Sequence, residues 1–241
     1  MPTHKKLKAN NINTLSVLIP SYNEKRTIEA LLHKVMNVEV PLEKEIIIID
    51  GSSEDGTREI LERLKRQYPF LKIIYEDKRE GRGAALKKGI REATGDIVLF
   101  QDADLELDPN DYPRLVEEFT DPTISVVFGS RFLNSRPSMT FLQYLGNTFL
   151  TRAVNFLYNA RLTDVETCYQ MFRKDAITNI PIQSNDFAFT VELTIRLLQS
   201  GAEIREVPIT YYPRGRKEGK KIYWKDGFIS LWKIFKLKFL D

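Results

Sequence analysis

Three acidic residues at alternate positions, Asp102, Asp104 and Glu106, follow a short apolar run at residues 97–100. An apolar run of this length between polar residues predicts a buried strand of an α/β sheet. Ligands bind beyond the carboxyl ends of the strands in such sheets, so the three carboxylates are expected beside a ligand. Carboxylate oxygens suit Mg²⁺ or Mn²⁺, and substrate phosphates and water complete the coordination. The segment therefore predicts a metal-bound diphosphate; the alternative is an acidic turn that only caps a helix beginning near Pro109.

Alternating strands and helices are predicted on the N-terminal side of this segment. Short apolar runs predict strands at residues 15–19, 45–49 and 71–75, and helical patterns follow at about 28–35, 58–67 and 82–90. Pro20 is expected to end the first strand, because proline cannot continue a central strand. This alternation predicts right-handed βαβ units and a parallel sheet through about residue 101. The polar turns after the strands should then meet at one edge of the sheet.

Those turns carry residues that suit a nucleotide. Tyr22 could contact a base, Asp50 could accept a hydrogen bond from ribose or base, and the glycine-rich turn at residues 81–84 could bring backbone, Lys87 or Lys88 near phosphate. Ordinary turns are the alternative for each segment, since two glycines are a weaker signal than the full dinucleotide motif. Their shared location favours a nucleotide pocket.

Beyond Glu106 the pattern predicts a helix at residues 113–119 and a strand at 124–128. Arg131 follows that strand at the same sheet edge, where its guanidinium would match phosphate oxygens. The alternative is a structural ion pair between Arg131 and Asp102 or Glu106.

Residues 139–158 are rich in Phe, Leu and Tyr. This composition favours a core helix, and the alternative is a helix, or a pair of helices, that presents apolar surface to a greasy substrate. Asp164 and Glu166 then precede a further strand. A helix is expected over residues 187–200, and residues 203–210 should form an extended edge strand.

The C-terminal segment combines basic and aromatic residues. A glycine-punctuated basic loop at residues 212–222 contains Arg214, Arg216, Lys220 and Lys221. Phe228, Leu231, Trp232, Phe235 and Phe239 then interleave with Lys233, Lys236 and Lys238. This pattern predicts a basic amphipathic helix. It favours contact with a membrane surface, with closure of the core as the alternative.

Composition limits the chemistry. The 241 residues contain one cysteine, Cys168, and two histidines, which excludes an intramolecular disulfide and leaves almost nothing for a zinc site. A net charge of +3 does not demand nucleic acid as a partner. No apolar stretch approaches the roughly 20 residues that cross a bilayer. We therefore expect carboxylate, Arg and Lys chemistry in a cytoplasmic protein that is peripheral at the cytoplasmic face of a membrane.

Five segments together resemble a known family. Residues 18–24, 49–57, 81–84, 102–104 and 129–131 occur in the order seen in family two glycosyltransferases of the GT-A fold. Downstream, residues 164–173, 187–193, 206–209 and 218–222 resemble the polyprenyl-phosphate branch, which includes dolichyl-phosphate mannose and glucose synthases. The resemblance implies an α/β fold with a Rossmann-like, mostly parallel central sheet flanked by helices, followed by a C-terminal acceptor-side extension and an amphipathic helix.

The resemblance also implies an organisation. We expect a single catalytic domain over residues 1–225, in which residues 15–131 serve the nucleotide sugar and residues 132–225 the acceptor. Residues 226–241 would form the terminal helix. The implied ligand-binding residues are Pro20, Tyr22, Glu24, Ile49, Asp50, Gly51, Gly81, Lys88, Asp102, Ala103, Asp104, Arg131, Arg214, Arg216, Lys220 and Lys221. Asp102, Asp104 and Glu106 would hold Mg²⁺ or Mn²⁺. Asp164 or Glu166 would touch sugar hydroxyls or assist as a base.

The activity implied is inverting, metal-dependent transfer of mannose or glucose from GDP-mannose or UDP-glucose to polyprenyl or dolichyl phosphate. The resemblance leaves open whether a separate membrane subunit is a partner. Two departures leave the donor open: mannose synthases often have a second Asp where Gly51 stands and a Gln where Glu106 stands. The alternatives are a glycosyltransferase with a soluble or glycan hydroxyl acceptor, a non-catalytic membrane-surface protein and a nucleotidyltransferase. The last would need a glycine- and arginine-rich loop directly after the first strand, which this sequence lacks.

Overall fold

Seven strands form the central sheet within residues 3–133, 139–214 and 224–240, which are the residues described by the computed structural model of the protein. The strands are β1 (Thr14–Ser21), β2 (Glu43–Asp50), β3 (Lys72–Tyr75), β4 (Ile97–Phe100), β5 (Val126–Ser130), β6 (Gln170–Arg173) and β7 (Ile204–Pro208). They lie in the order β3-β2-β1-β4-β6-β5-β7. Strand β6 is antiparallel to β4 and β5, and the other neighbouring strands are parallel. The mostly parallel sheet is confirmed; its one reversed strand is not part of the sequence prediction.

Helices cover both faces of the sheet. They are α1 (Thr3–Ala9), α2 (Ile28–Asn37), α3 (Thr57–Gln67), α4 (Arg82–Glu92), α5 (Tyr112–Glu118), α6 (Phe141–Tyr158), α7 (Lys174–Thr178), α8 (Ala188–Gln199) and α9 (Trp224–Phe239), with a short 3₁₀ helix at Pro109–Asp111. Helix α1 lies in the polar N-terminal segment, where the sequence pattern predicts no element. Its Leu7 is fully buried, which anchors the helix to the core.

The core explains why the predicted strands are continuously apolar. Val17 and Ile48 pack into a cluster on one face of the sheet, and Leu18 and Ile49 pack into a second cluster on the other. A parallel strand buried on both faces needs apolar side chains at successive positions. The carboxyl edge of the sheet is therefore supported by a well-packed core on both faces.

Strand β1 continues through Pro20, where the sequence predicts its end. The backbone N–H of Gly51 donates to the Ser21 carbonyl over 2.8 Å, and that of Gln101 donates to the Leu18 carbonyl over 2.9 Å. Alternate residues direct their backbone groups to the same side, so Pro20 faces β4 as Leu18 does. The pairing with β4 ends at Phe100, opposite Leu18. The missing N–H of Pro20 therefore costs no ladder hydrogen bond.

Helices α6 and α9 are each buried along one side only. Helix α6 buries Leu150 and Val154, and α9 buries Ile234 and Leu237, all in one cluster with α8. The exposed large apolar side chains of the two helices are Phe141, Leu142, Leu145, Phe149, Phe156, Phe228, Ile229, Trp232, Phe235 and Phe239. The core interpretation of residues 139–158 therefore holds for one side of a single helix. In the part of the chain that the structure describes, no helix is both long and apolar enough to cross a membrane.

Candidate active site

A cleft of about 1450 Å³ extends from the carboxyl edge of the sheet to the surface between α6 and α9. Its sheet-edge end is lined by residues that include Pro20, Tyr22, Glu24, Gly51, Glu76, Gly81, Arg82, Asp102, Ala103, Asp104, Glu106, Arg131, Glu166 and Arg214. Its helical end is lined by residues that include Leu142, Phe149, Leu150, Phe228 and Leu231. The cleft thus joins a charged region to an apolar one.

Buried side chains fix the acidic segment that follows β4. The Oε1 atom of Gln101 accepts hydrogen bonds from the hydroxyl groups of Tyr112 and Tyr169 over 2.8 and 2.6 Å. Leu105, between the second and third acidic residues, has a φ of +62°. This left-handed conformation costs a branched residue about 1 kcal/mol or more. Such strain persists only where the surroundings impose it, so the segment is held in a defined shape.

All three predicted acidic residues line the cleft, and each contacts an arginine. The Oδ1 atom of Asp102 lies 2.8 Å from Arg82 Nε, and the Oδ2 atom of Asp104 lies 2.7 Å from Arg214 Nη2. The Oε1 atom of Glu106 accepts from the backbone N–H of Arg214 over 2.9 Å. The carboxylates are therefore balanced by positive charge supplied from α4 and from the segment after β7.

Arg214 connects two of the predicted binding segments. Its Nη1 atom lies 3.0 Å from Glu24 Oε2, in the turn after β1, while Nη2 contacts Asp104. The guanidinium thus stands between carboxylates where the sequence predicts a cation. The other predicted basic-loop residues, Arg216, Lys220 and Lys221, lie outside the described residues.

Asp102 and Asp104 fit a divalent cation that arrives with a diphosphate. Burial, and then the charge of Asp102, raises the pKa of Asp104 to about 7, so the two carboxylates compete for positive charge. Among the described residues, no group of three or more His, Cys, Asp or Glu side chains is arranged to hold a metal ion. Mg²⁺ commonly takes one or two carboxylates and completes its octahedron with substrate phosphates and water. Glu106, already bonded to Tyr211 and Arg214, remains a predicted third ligand.

The predicted nucleoside residues divide into two groups. Pro20, Tyr22, Glu24 and Gly51 line the cleft. Ile49 and Asp50 are fully buried beneath it and are not among its lining residues. The Oδ2 atom of Asp50 accepts from Arg58 Nε over 2.6 Å and from the Ser53 backbone N–H over 3.1 Å. Its Oδ1 atom is buried and has no hydrogen-bond partner among the described residues. Asp50 thus lies beneath the cleft, and its direct contact with the ligand stays a prediction.

The glycine-rich turn serves packing between α4 and the segment before α8. A Cβ on Gly81, whose φ is +106°, would lie 2.3 Å from the carbonyl oxygen of Asn185. A Cβ on Gly83 would lie 2.7 Å from that of Phe189. Neighbouring protein therefore fills the space where side chains would stand at these two positions, while Gly81 itself lines the cleft. Lys88 is not brought to the cleft, because its Nζ atom pairs with Glu76 and Glu80 over 2.6 and 3.1 Å.

Arg131 and Asp164 form one buried unit. Strand β5 ends at Ser130, two residues beyond the predicted end, and Arg131 follows directly. Its Nε and Nη2 atoms each lie 2.7 Å from an oxygen of Asp164. Asp164 is fully buried, with both oxygens engaged, so it holds Arg131 and is not placed to contact a sugar or act as a base. Glu166 is half-buried and lines the cleft, as its predicted role requires.

The lining residues that are absent from the predicted set include Glu76, Arg82 and Tyr211. Arg82 stands between two glycines at the start of a helix on the sheet edge, and that position was a usable signal. Glu76 directly follows β3, so its position at the carboxyl edge also followed from the strand prediction. Tyr211 reaches the site through an antiparallel bridge to Leu107, and no local pattern announces that contact.

Comparison with known proteins agrees with this geometry. The sequence model of Glycosyl transferase family 2 matches residues 16–180. Dolichol-phosphate mannosyltransferase from Pyrococcus furiosus is 28% identical over 212 residues, which are 86% of this chain and 58% of that protein. Undecaprenyl-phosphate mannosyltransferase from Micrococcus luteus is 28% identical, over 84% of this chain and 85% of that protein. The chain thus spans little more than half of the Pyrococcus protein and most of the Micrococcus one.

A solved structure shares the fold. Glucosyl-3-phosphoglycerate synthase from Mycobacterium tuberculosis, in complex with Mg²⁺ and uridine diphosphate, superposes with a TM-score of 0.73. The match covers 99% of this chain and 84% of that one at 18% identity. The GT-A arrangement predicted from the sequence motifs is confirmed.

Proposed function

The chain belongs to glycosyl transferase family 2, and from that membership we propose that it transfers a hexose from a nucleotide sugar to the phosphate of a polyprenyl lipid. The observation that carries the proposal is the single cleft that joins the carboxylates of the sheet edge to the apolar surface of α6 and α9. A nucleotide sugar needs the first region, and a polyprenyl chain needs the second. The names of the Pyrococcus and Micrococcus relatives point to the same class of acceptor.

The donor, GDP-mannose or UDP-glucose, would place its nucleoside beside Pro20, Tyr22 and Gly51, which line the sheet-edge end. Its diphosphate would lie beside Asp102 and Asp104. A Mg²⁺ or Mn²⁺ ion on these two residues would neutralise charge on the departing nucleoside diphosphate. Arg82 holds Asp102 in place through the 2.8 Å ion pair.

The acceptor phosphate would lie beside Arg131, whose guanidinium is fixed by Asp164. A phosphate oxygen forms the new bond to the anomeric carbon while the bond from that carbon to the donor diphosphate breaks. Attack on the face opposite the leaving group inverts the configuration. The phosphate is an anion at neutral pH and needs no general base, which agrees with the engagement of both Asp164 oxygens. Catalysis would depend mainly on orientation and charge.

The exposed faces of α6 and α9 would hold the lipid and bring the protein to the cytoplasmic face of a membrane. Helix α9 exposes Phe228, Trp232 and Phe239, and carries Lys236 and Lys238 in its last turn. Aromatic side chains beside lysines favour an interface with anionic lipid. Phe149 and Phe228 line the cleft itself, so membrane contact and lipid entry would occur at the same surface.

Release of nucleoside diphosphate tests the proposal. GDP-mannose and UDP-glucose are each supplied with Mn²⁺, with and without a short polyprenyl phosphate in vesicles and with no other protein. Release that depends on the lipid is expected, and would show that no separate membrane subunit is required. Asp102→Asn should abolish it, while Asp77→Asn, at an exposed position outside the cleft, should not.

Two other outcomes would contradict the proposal. Slow hydrolysis that is indifferent to the lipid would favour a soluble hydroxyl acceptor, for which Glu166 is the carboxylate placed to act as base. Failure to bind or cleave either donor would favour a non-catalytic role for the fold.

A further inference from the structure

Glu76 is a buried carboxylate at the sheet-edge end of the cleft with no part in the mechanism above. It follows β3 directly, and its backbone N–H donates to the Asp50 carbonyl over 2.9 Å, which fixes it beside the end of β2. Its side chain is 1% exposed, yet it lines the cleft. A carboxylate is rarely buried in this way unless both of its oxygens are used.

Only one of the two oxygens has a partner. Oε1 accepts from Lys88 Nζ over 2.6 Å, and Lys88 is held in turn by Glu80. Oε2 is buried and has no hydrogen-bond partner among the described residues. The hydroxyl of Ser21, which also lines the cleft, is likewise buried and unpartnered within the described part of the chain. An unsatisfied carboxylate oxygen is costly, so a ligand that supplies a donor would recover the loss.

Gly51 leaves space beside this oxygen. A Cβ on Gly51 would lie 3.6 Å from Glu76 Oε2, 3.4 Å from the Ser21 carbonyl oxygen and 3.7 Å from the Tyr22 Cβ. An aspartate at position 51 would bring a second carboxylate against Glu76, at a cost in like-charge repulsion. The absence of a side chain at position 51 and the carboxylate of Glu76 therefore form one arrangement, in which Glu76, directly after β3, supplies a hydrogen-bond acceptor that position 51 does not.

The chemistry of the Glu76 carboxylate identifies the part of the ligand that it binds. An ionised carboxylate only accepts hydrogen bonds, whereas a donor diphosphate carries acceptor oxygens and repels it. The matching ligand group must be an N–H or an O–H. On the basis of the proposed function, we propose that Glu76 recognises the nucleoside of the donor by accepting a hydrogen bond from a base N–H or a ribose hydroxyl.

Calorimetric titration of GDP and UDP, each with Mn²⁺ and without acceptor, tests this assignment in three proteins. Glu76→Gln should weaken the better nucleotide about tenfold, because a hydrogen bond to a charged group is lost. Glu80→Gln is the matched control: it removes a carboxylate from the same lysine but from a residue outside the cleft, and should change affinity less than about twofold. Inorganic pyrophosphate with Mn²⁺ should bind wild type and Glu76→Gln equally, which separates nucleoside recognition from a folding defect.

Variants of the nucleotide distinguish a hydrogen bond from the base from one donated by ribose. If Glu76 accepts from the base, the wild-type preference between guanosine, inosine and uridine diphosphates should shrink in Glu76→Gln. If it accepts from ribose, the wild-type preference for GDP over 2′-deoxy- or 3′-deoxy-GDP should shrink instead. Two results would overturn the role of Glu76 without affecting the proposed function: unchanged nucleotide affinity in Glu76→Gln, or a loss of pyrophosphate affinity equal to the loss of nucleotide affinity. Failure of the wild type to bind any nucleoside diphosphate overturns the proposed function with it.

Discussion

The two ends of the cleft are built by different means. At the sheet-edge end, carboxylates are held in place by ion pairs, as in Asp102 with Arg82 and Asp104 with Arg214. At the helical end, Phe149 and Phe228 are 59% and 65% exposed and present apolar area with no such fixed geometry. The first end suits a ligand whose charges must be placed to within a fraction of an ångström, and the second suits a flexible hydrocarbon chain.

This difference predicts how each end responds to substitution. Removal of one charge at the sheet edge eliminates an interaction that no neighbour can replace. Loss of one apolar side chain at the helical end reduces a contact area shared by many others, since burial contributes in proportion to area. Five predictions follow from the contrast, in order of decreasing effect.

Asp102→Asn should have the largest effect. The neutral side chain loses charge opposite the leaving group, and removal of one electrostatic contact of this kind typically lowers turnover about 100-fold or more. It also leaves the Arg82 guanidinium, 8% exposed, without its counter-charge, at a cost of about 2 kcal/mol in folding stability. Initial rates and chemical denaturation measure the two effects.

Asp104→Asn separates the effect on turnover from the effect on folding stability. Arg214 keeps its contacts with Glu24 and Glu106 in that variant, so turnover should fall as it does in Asp102→Asn with a smaller loss of stability. Asp77→Asn should change neither quantity. Near wild-type turnover in both Asp102→Asn and Asp104→Asn would show that the sheet-edge carboxylates are not part of the reaction.

Phe149→Ser combined with Phe228→Ser should have a graded effect at the helical end. Each side chain is already partly exposed, so together they are expected to contribute about 2 kcal/mol to lipid binding, or roughly 30-fold in the KM for polyprenyl phosphate. The affinity for nucleoside diphosphate should be unchanged, because the substitutions lie away from the carboxylates. Phe70→Ser removes a phenylalanine of similar exposure, 61%, from a position outside the cleft, and should leave the KM unaltered. A loss of nucleotide affinity in the double variant would mean that the two ends are not independent.

The sheet-edge end is the more predictable of the two from sequence. The run before Asp102 is a strand buried on both faces, and the residues that follow such a strand must emerge at its carboxyl end. That local rule places Asp102, Asp104 and Glu106 correctly at the cleft. It cannot foresee which cation lies opposite each one, because Arg82 and Arg214 come from segments 20 and 110 residues away.

The errors in the site prediction share one cause. Lys88 and Asp164 have the residue types and the positions of ligand contacts, yet each is occupied by a neighbour brought by tertiary packing. The reversed strand β6 similarly depends on pairing with β4 and β5, which a local pattern does not encode. At the helical end, the apolar residues of α6 do not indicate which side is covered, since that depends on where α8 and α9 pack.

Metal binding should depend on pH at the sheet-edge end. Burial and the charge of Asp102 raise the pKa of Asp104 to about 7, so this carboxyl gains a proton as the pH falls through that value. Protonation opposes a cation, and Mn²⁺ affinity without nucleotide should fall by up to about tenfold per pH unit below pH 7. Mn²⁺ titrations from pH 8 to pH 6 measure the effect. Asp104→Asn should bind Mn²⁺ weakly with little pH dependence, and a wild-type affinity that is flat over this range would contradict the assignment. Vesicle binding at the helical end should not change over the same range, because it depends mainly on the apolar area of α6 and α9.

Arg214→Ala gives the smallest and most diagnostic effect, because it distinguishes competition from assistance at the sheet edge. The guanidinium lies 3.0 Å from Glu24 Oε2 and 2.7 Å from Asp104 Oδ2, the second being an oxygen that a metal would also use. If a pair of this kind contributes about 1 kcal/mol, its removal should tighten Mn²⁺ binding about fivefold in the absence of nucleotide. Arg205→Ala, which removes an arginine paired with Glu118 over 3.2 Å outside the cleft, should leave Mn²⁺ affinity unchanged.

Weaker Mn²⁺ binding in Arg214→Ala would show instead that the arginine organises the carboxylates. Tighter Mn²⁺ binding together with a lower turnover would show that Arg214 both competes with the metal for Asp104 and contributes to the reaction. Arg214 would then have to leave Asp104 before its guanidinium could contact a phosphate.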